Sequence, residues 1–287
     1  QYVWVEVPRL ANVYPNAGIS IKDFSDEEYT KIESDLKEYT ASYRNGTSAT
    51  DTYSTSNSIG LSDSAYTELK RKMLKSVYQN GGFYIARYEA GTDTKRNSNT
   101  STATLVPMSK ANQYPLNWVT CTEAQTLASK ASTNGHSGSL MFGIQWDLVQ
   151  KYIEVKSVAQ GTAIGTIQSQ LKTNSTDWGN YKASKYNISN TSAQYSLNNG
   201  STWLQAPYDK SAAGSTLLTT GTIVGFAKQG IFDLGGNVWE WTLENSNVSG
   251  QPCVIRGGAY ESSDSTDISV NSRSCLLYTS PSPRDGL

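Results

Sequence analysis

The sequence predicts a mixed α+β fold with small antiparallel sheets, a few helices and long loops. Three observations carry that expectation. The runs Gln1–Val7 and Gly82–Thr92 alternate apolar and polar residues as strands do. Residues 25–39 and 64–78 repeat their apolar side chains at helical spacing. Phe232–Thr242 and Arg256–Tyr260 carry glycine pairs beside Trp and Tyr, as expected of two core strands meeting at tight turns.

Each element follows from its residues. Pro8 ends the first strand, which reads as an edge or hairpin strand. Ser25 stands as an N-cap with Glu28 three residues on, and Tyr29, Ile32, Leu36 and Tyr39 share one face of the helix that follows. Residues 40–62 form a polar loop. A second helix has Tyr66, Leu69, Met73, Leu74 and Val77 on its apolar side, and Gly81-Gly82 stops it. Further on, Thr122 is the expected cap of a third helix, with Gln125 completing a capping box. Ile144, Leu148, Tyr152 and Val155 mark a fourth. Residues 157–208, rich in Ser, Asn, Thr, Gly and Tyr, read as long loop decoration on the same domain, and 215–226 as strand-like.

The central segment reads Asp233-Leu234-Gly235-Gly236-Asn237-Val238-Trp239-Glu240-Trp241, with Arg256-Gly257-Gly258-Ala259-Tyr260 following. The pair, in this order, resembles the hallmark of the sulfatase-modifying-factor family, also called formylglycine-generating-enzyme-like. Its members have a variant of the C-type lectin fold. Gly82–Thr92, 115–128 and 139–149 resemble further family segments, although Pro, Thr and Glu of the last one are replaced here. The resemblance implies a C-type-lectin-like domain over 81–274, with residues 1–80 as an N-terminal extension packed on the same core. Cys275–Asp285 matches one reading frame of a transposon-end sequencing adapter, so 275–287 is expected to be foreign sequence. The domain is accordingly expected to lack the family's closing strand beside the hallmark strands, and the first residues to lie inside a longer protein.

The chain has 287 residues, 37% of them hydrophobic, seven Trp and a formal net charge of -1. Without a basic run, no nucleic-acid or anionic-membrane partner is expected. No apolar run approaches the length of a membrane span. Cys121 and Cys253 fit either one disulfide or two buried thiols.

For function, the family's oxidase chemistry needs two cysteine thiolates to hold copper(I). In the family they stand six and eleven positions after the Arg of the R-G-G motif. Here those positions hold Ser262 and Asp267, so no copper is expected. A nonheme-iron branch needs three histidines, and the chain has one, His136. The resemblance therefore implies a non-catalytic recognition domain of the kind found on bacterial surfaces and phage receptor-binding tips. It would be extracellular, on a bacterial cell surface or virion. Its partner would be a surface protein or glycan of a host cell or the environment. The expected contact residues are Tyr260, Glu261, Ser262, Asp264, Asp267 and Asn271, an aromatic among small polar groups. A structural calcium site is expected from Asn237, the Val238 carbonyl and Glu240. The alternatives are a catalytic oxidoreductase of this family using an unrecognised site, and a purely structural surface domain.

Overall fold

A computed structural model describes residues 1–44, 49–54, 60–131, 138–248 and 253–276. His136 and residues 277–287 of the expected adapter segment lie outside the described residues. Strand β1 (Tyr2–Glu6) buries Val5 and pairs antiparallel with β3 (Gly82–Ala86), so the chain's first strand meets its partner only after two helices. Those helices are α1 (Asp26–Tyr39) and α2 (Asp63–Asn80). The Ser25–Glu28 capping box starts α1 as its sequence dictates: the Glu28 N–H donates to Ser25 Oγ, and the Ser25 N–H to Glu28 Oε2. Gly81 ends α2 in the left-handed region. Between the helices, β2 (Ala49–Thr50) leaves to join a sheet built from the far end of the chain.

Strands β4 (Gly91–Thr92) and β5 (Tyr114–Pro115) form a small pair, and α3 (Cys121–Lys130) follows. Its cap is Thr120 with Glu123, not Thr122 with Gln125. Both frames offer a Thr and a polar residue three later. Side-chain bonding decides between them: Glu123 returns to the Thr120 N–H, while buried Gln125 accepts from the Leu140 N–H instead. Helix α4 (Gly143–Ala159) also departs from its expected stripe. Ile144 and Leu148 are buried but Val155 is 40% exposed, while Trp146, Val149 and Ile153 face the core.

The 157–208 stretch is more regular than its composition indicates. It holds the end of α4, helix α5 (Ile164–Lys172) and the strands β6 (Tyr186–Ile188), β7 (Gln194–Ser196) and β8 (Leu204–Gln205). Next come β9 (Tyr208–Lys210), which pairs with β6, and β10 (Leu217–Leu218), which pairs with β7. Ser- and Asn-rich strands this short lack the apolar alternation that would reveal them. The strand expected over 215–226 shrinks to β10 and a 3-10 turn at Val224–Phe226.

The two hallmark segments become β11 (Glu240–Ser246) and β12 (Cys253–Arg256), antiparallel neighbours with Trp241 opposite Ile255. Strand β2 lies on the outer side of β11, and β13 (Arg273–Leu276) on the outer side of β12. The flank expected to stay open beside β12 is therefore occupied, because the chain returns after the 260–272 loop and pairs in register.

Against this sheet sits a buried ionic network. Arg256, 0% exposed, donates from Nη2 to Asp147 Oδ1 at 3.0 Å and from Nη1 to Glu244 Oε2 at 3.0 Å. Arg273 reaches Glu244 Oε1 at 2.8 Å, and Arg44 reaches Asp147 at 3.1 Å and Asp51 at 3.9 Å. Burial opposes the Glu244 charge, but Arg256 and Arg273 hold its carboxyl below the usual range. Asp51 also accepts from the Gly143 and Ile144 N–H groups at 2.7 and 2.9 Å, satisfying the orphan donors of the α4 N-terminus. Arg256→Leu leaves Asp147 and Glu244 buried without their shared cation. Urea denaturation should show a loss of about 3–5 kcal/mol for that change and little for the exposed Lys72→Ala.

Candidate functional site

The turn before β11 is set by backbone conformation. Gly236 has φ 76°, and a Cβ there would collide with the Asn180 carbonyl. Its N–H donates to Gly257 O at 2.9 Å, so the first glycine pair is tied to the second. At the second, Gly258 (φ 75°) lets the Asp267 carbonyl and the Tyr181 ring approach where a side chain would stand.

Asn237 is the hub of this turn, 1% exposed. Its Oδ1 accepts from Asn180 Nδ2 at 2.9 Å and from the Leu218 N–H at 3.0 Å. Its Nδ2 donates to Glu89 Oε1 and to Leu218 O. The amide oxygen expected to face a cation is thus already engaged by two donors. What stands near Glu240 instead is a pair of carboxylates that the sequence reading did not select, Glu89 and Asp233. Asp233 Oδ2 accepts from the Gly221 N–H at 2.6 Å, and Glu89 accepts from the Val238 N–H. Glu89 Oε2 and Glu240 Oε2 are buried without a hydrogen-bond partner. Burial, then the neighbouring Asp233 and Glu240, push the Glu89 carboxyl well up. Burial raises Asp233 to about 7, and burial with Asp233 nearby raises Glu240 to about 8. A signal was present in the sequence: Asp233 opens the hallmark segment, and Glu89 lies in the strand that the resemblance covers.

The 260–272 loop starts from this hub, where the Tyr260 N–H donates to Asn237 O at 3.0 Å. Most of the residues expected to make contacts hold the loop in place. Tyr260 is 3% exposed, its hydroxyl donating to Asn199 Oδ1 at 2.9 Å. Ser262 is 9% exposed, and its Oγ accepts from the Ala259 N–H at 3.0 Å. Asn271, 1% exposed, accepts from Gln150 Nε2 at 3.1 Å. For these three, burial replaces the expected surface role, because the chain must close on itself between β12 and β13. Asp264 is exposed, with Ser263, Ser265 and Thr266, while Glu261 and Asp267 are half-buried. The long stretch before β9 braces the loop, with the Lys182 N–H on Ser262 O and the Ser175 N–H on Ile268 O. Trp146 Nε1 holds Val270 O from beneath at 3.0 Å. The result is a four-residue polar apex, 263–266, on a rigid base.

An α+β domain of small antiparallel sheets, organised on a buried Gly-Asn turn and a buried R-G-G arginine, is the class these features define. The comparison with known families agrees: the description "sulfatase-modifying factor enzyme 1-like domain" matches residues 67–280. The match spans well over half of the chain, which therefore belongs to the sulfatase-modifying-factor family. No individually curated protein matches it in sequence.

The acidic cluster sets a sign for pH dependence. A carboxyl whose pKa is raised in the folded state stabilises the fold while protonated, and that stability is lost as pH rises from its unfolded value through its folded one. In chelator, the wild-type thermal midpoint should therefore fall between pH 5 and pH 8, across the range set by the values near 7 and 8 for Asp233 and Glu240. Glu240→Gln, which cannot ionise, should flatten the fall; equal slopes in the two proteins would refute the assignment.

Proposed function

We propose that this domain is a non-catalytic extracellular recognition module, on a bacterial cell surface or virion. Its contact face is centred on Ser263, Asp264, Ser265 and Thr266. The observation that carries the reading is the division of labour in the 260–272 loop. The positions that hold copper-binding cysteines in the family's oxidases carry Ser262 and Asp267 here, and Ser262 is buried and spent on the Ala259 N–H. A serine hydroxyl and an aspartate carboxylate are hard oxygen ligands poorly matched to soft copper(I), so we assign the domain no copper. The exposed apex instead offers three hydroxyls and one carboxylate, with half-buried Glu261 and Asp267 at its margins. Such groups form adaptable hydrogen bonds, suited to a glycan or to a polar patch on a surface protein.

Calcium is the second part of the proposal, in a structural role. It takes oxygen ligands only, and several of them. Among the described residues no three His, Cys, Asp or Glu side chains form a ready metal cage. A cation at the turn would therefore use Glu240 and the Val238 carbonyl, with Asp233 taking the place first given to Asn237. The orphaned Glu240 Oε2 and Glu89 Oε2 support the fit, since a buried carboxylate oxygen without a partner is costly unless a cation or proton meets it.

Both parts are open to direct test. On an array of bacterial surface glycans and immobilised surface proteins, wild-type protein should bind at least one class. Asp264→Ala with Thr266→Ala should weaken that binding about tenfold or more, a loss on the scale of one or two charge-assisted hydrogen bonds, with an unchanged thermal midpoint. Unaltered binding by the double variant would remove the apex from the contact face. Added calcium should raise the midpoint of wild type but not of Glu240→Gln, and a midpoint indifferent to calcium and chelator would end the metal assignment.

A further inference from the structure

Two cysteines at distant points of the chain come together behind the hallmark sheet. Cys121 is the first residue of α3 and Cys253 the first of β12, and both are 0% exposed. Their thiols are hydrogen-bonded to each other, a contact that, with burial, pushes the Cys121 thiol well up. A second, independent hydrogen bond ties the residues leading into α3 to β11, the neighbour of β12 in the sheet. Trp241 Nε1 donates to Val119 O at 3.0 Å, two residues before Cys121. Trp241 lies opposite Ile255 in the ladder, and Cys253 shares its face of β12 with Ile255 because side chains alternate along a strand. The α3 entrance is thus held against the sheet face from which Cys253 projects.

The third cysteine is excluded by the same alternation. Cys275 sits opposite Val254, so it points to the other face of the sheet, the one that carries Arg256 and Arg273. We infer that Cys121 and Cys253 are the partners of a specific disulfide cross-link joining the α3 N-terminus to β12, with Cys275 outside it.

The chemistry is thiol–disulfide exchange with a small-molecule disulfide such as oxidised glutathione. One cysteine loses its proton, and its thiolate attacks the glutathione disulfide, releasing one glutathione thiolate and leaving a mixed disulfide. The second cysteine, deprotonated in turn, attacks the protein sulfur of that bond and expels the other glutathione. Two protein thiols give up two electrons and two protons, and one glutathione disulfide becomes two glutathione thiols. With both sulfurs fully covered in the folded chain, the reaction proceeds during folding or on opening of the α3 entrance. The cross-link ties the two ends of a long segment that includes α4 and the 157–208 stretch, so it constrains the unfolded chain strongly.

The test uses the full chain refolded in a glutathione redox buffer. Thiols are counted after denaturation, and tryptic peptides are mapped without reduction. The expected result is one remaining thiol and a linked pair of peptides, 111–130 with 229–256, while 274–284 stays free. Reduction with dithiothreitol should then lower the thermal midpoint by roughly 5–10 °C. Cys121→Ala, at a site where a small residue fits, should lack that response. Three free thiols after oxidation, or a linked pair that includes 274–284, would overturn the inference.

Discussion

Arg256 holds a full positive charge at 0% exposure, and much of the architecture is arranged so that it never stands alone. Its guanidinium bridges Asp147 of α4 and Glu244 of β11, and those carboxylates bring Arg44 and Arg273 with them. Three arginines and three carboxylates, counting Asp51, thus draw in residues from the first 51, from α4 and from three strands of one sheet. Desolvating so many charges is expensive, and the network contributes less to net stability than apolar side chains of the same volume would. Its effect is on specificity. A misaligned β12 or a shifted α4 leaves a buried charge unpaired, so alternative packings of this Ser- and Asn-rich chain are strongly penalised.

Asn237 plays a neutral counterpart just beyond the Glu240–Arg256 end of the same strand pair. Its amide satisfies Asn180, Leu218 and Glu89 at once, and its carbonyl receives the Tyr260 N–H. The long polar stretch, the start of β11 and the 260–272 loop are joined through one residue. Beside it, Glu89, Asp233 and Glu240 concentrate more carboxylate than the local hydrogen bonds satisfy, since two of their oxygens have no partner. The two clusters divide the electrostatics of the domain. The arginine network is internally balanced, whereas the acidic cluster calls for protons or a cation.

How much of this was readable in the sequence depends on what kind of force sets each feature. Local signals were clear: the Ser25–Glu28 capping box, the Gly81 stop and the alternation of β1 are decided within a few residues. The cap of α3 falls two positions before the expected one because Thr120 and Thr122 satisfy the same local pattern, and only a bond from outside the helix, the Leu140 N–H on Gln125, separates them. Strands β6 to β9 escaped notice because they are two or three residues long and held by partners distant in sequence. The site shows the same limit. Its glycine turns and hallmark residues were visible, but burial was not, and an Asn, a Tyr and a Ser chosen as contacts proved to be ties. Glu89 and Asp233 went unselected because only the fold brings them beside Glu240.

The roles of neighbouring loop residues follow from this geometry. Tyr260, Ser262 and Asn271 are buried and bonded to Asn199, the Ala259 N–H and Gln150, and the buried Ser269 and Ser272 hydroxyls are bonded to each other. Ser263 to Thr266 project between them, and the fold rests on their backbone more than on their side chains; the Asp267 N–H, for instance, closes the apex on Asp264 O at 2.9 Å. Substitution at the apex therefore changes what the surface offers with little effect on what holds it. Substitution at Tyr260, Ser262 or Asn271 does the reverse, since each tie removed leaves a buried donor or acceptor unmet. Over these four consecutive residues the chemistry of the surface can vary independently of the fold.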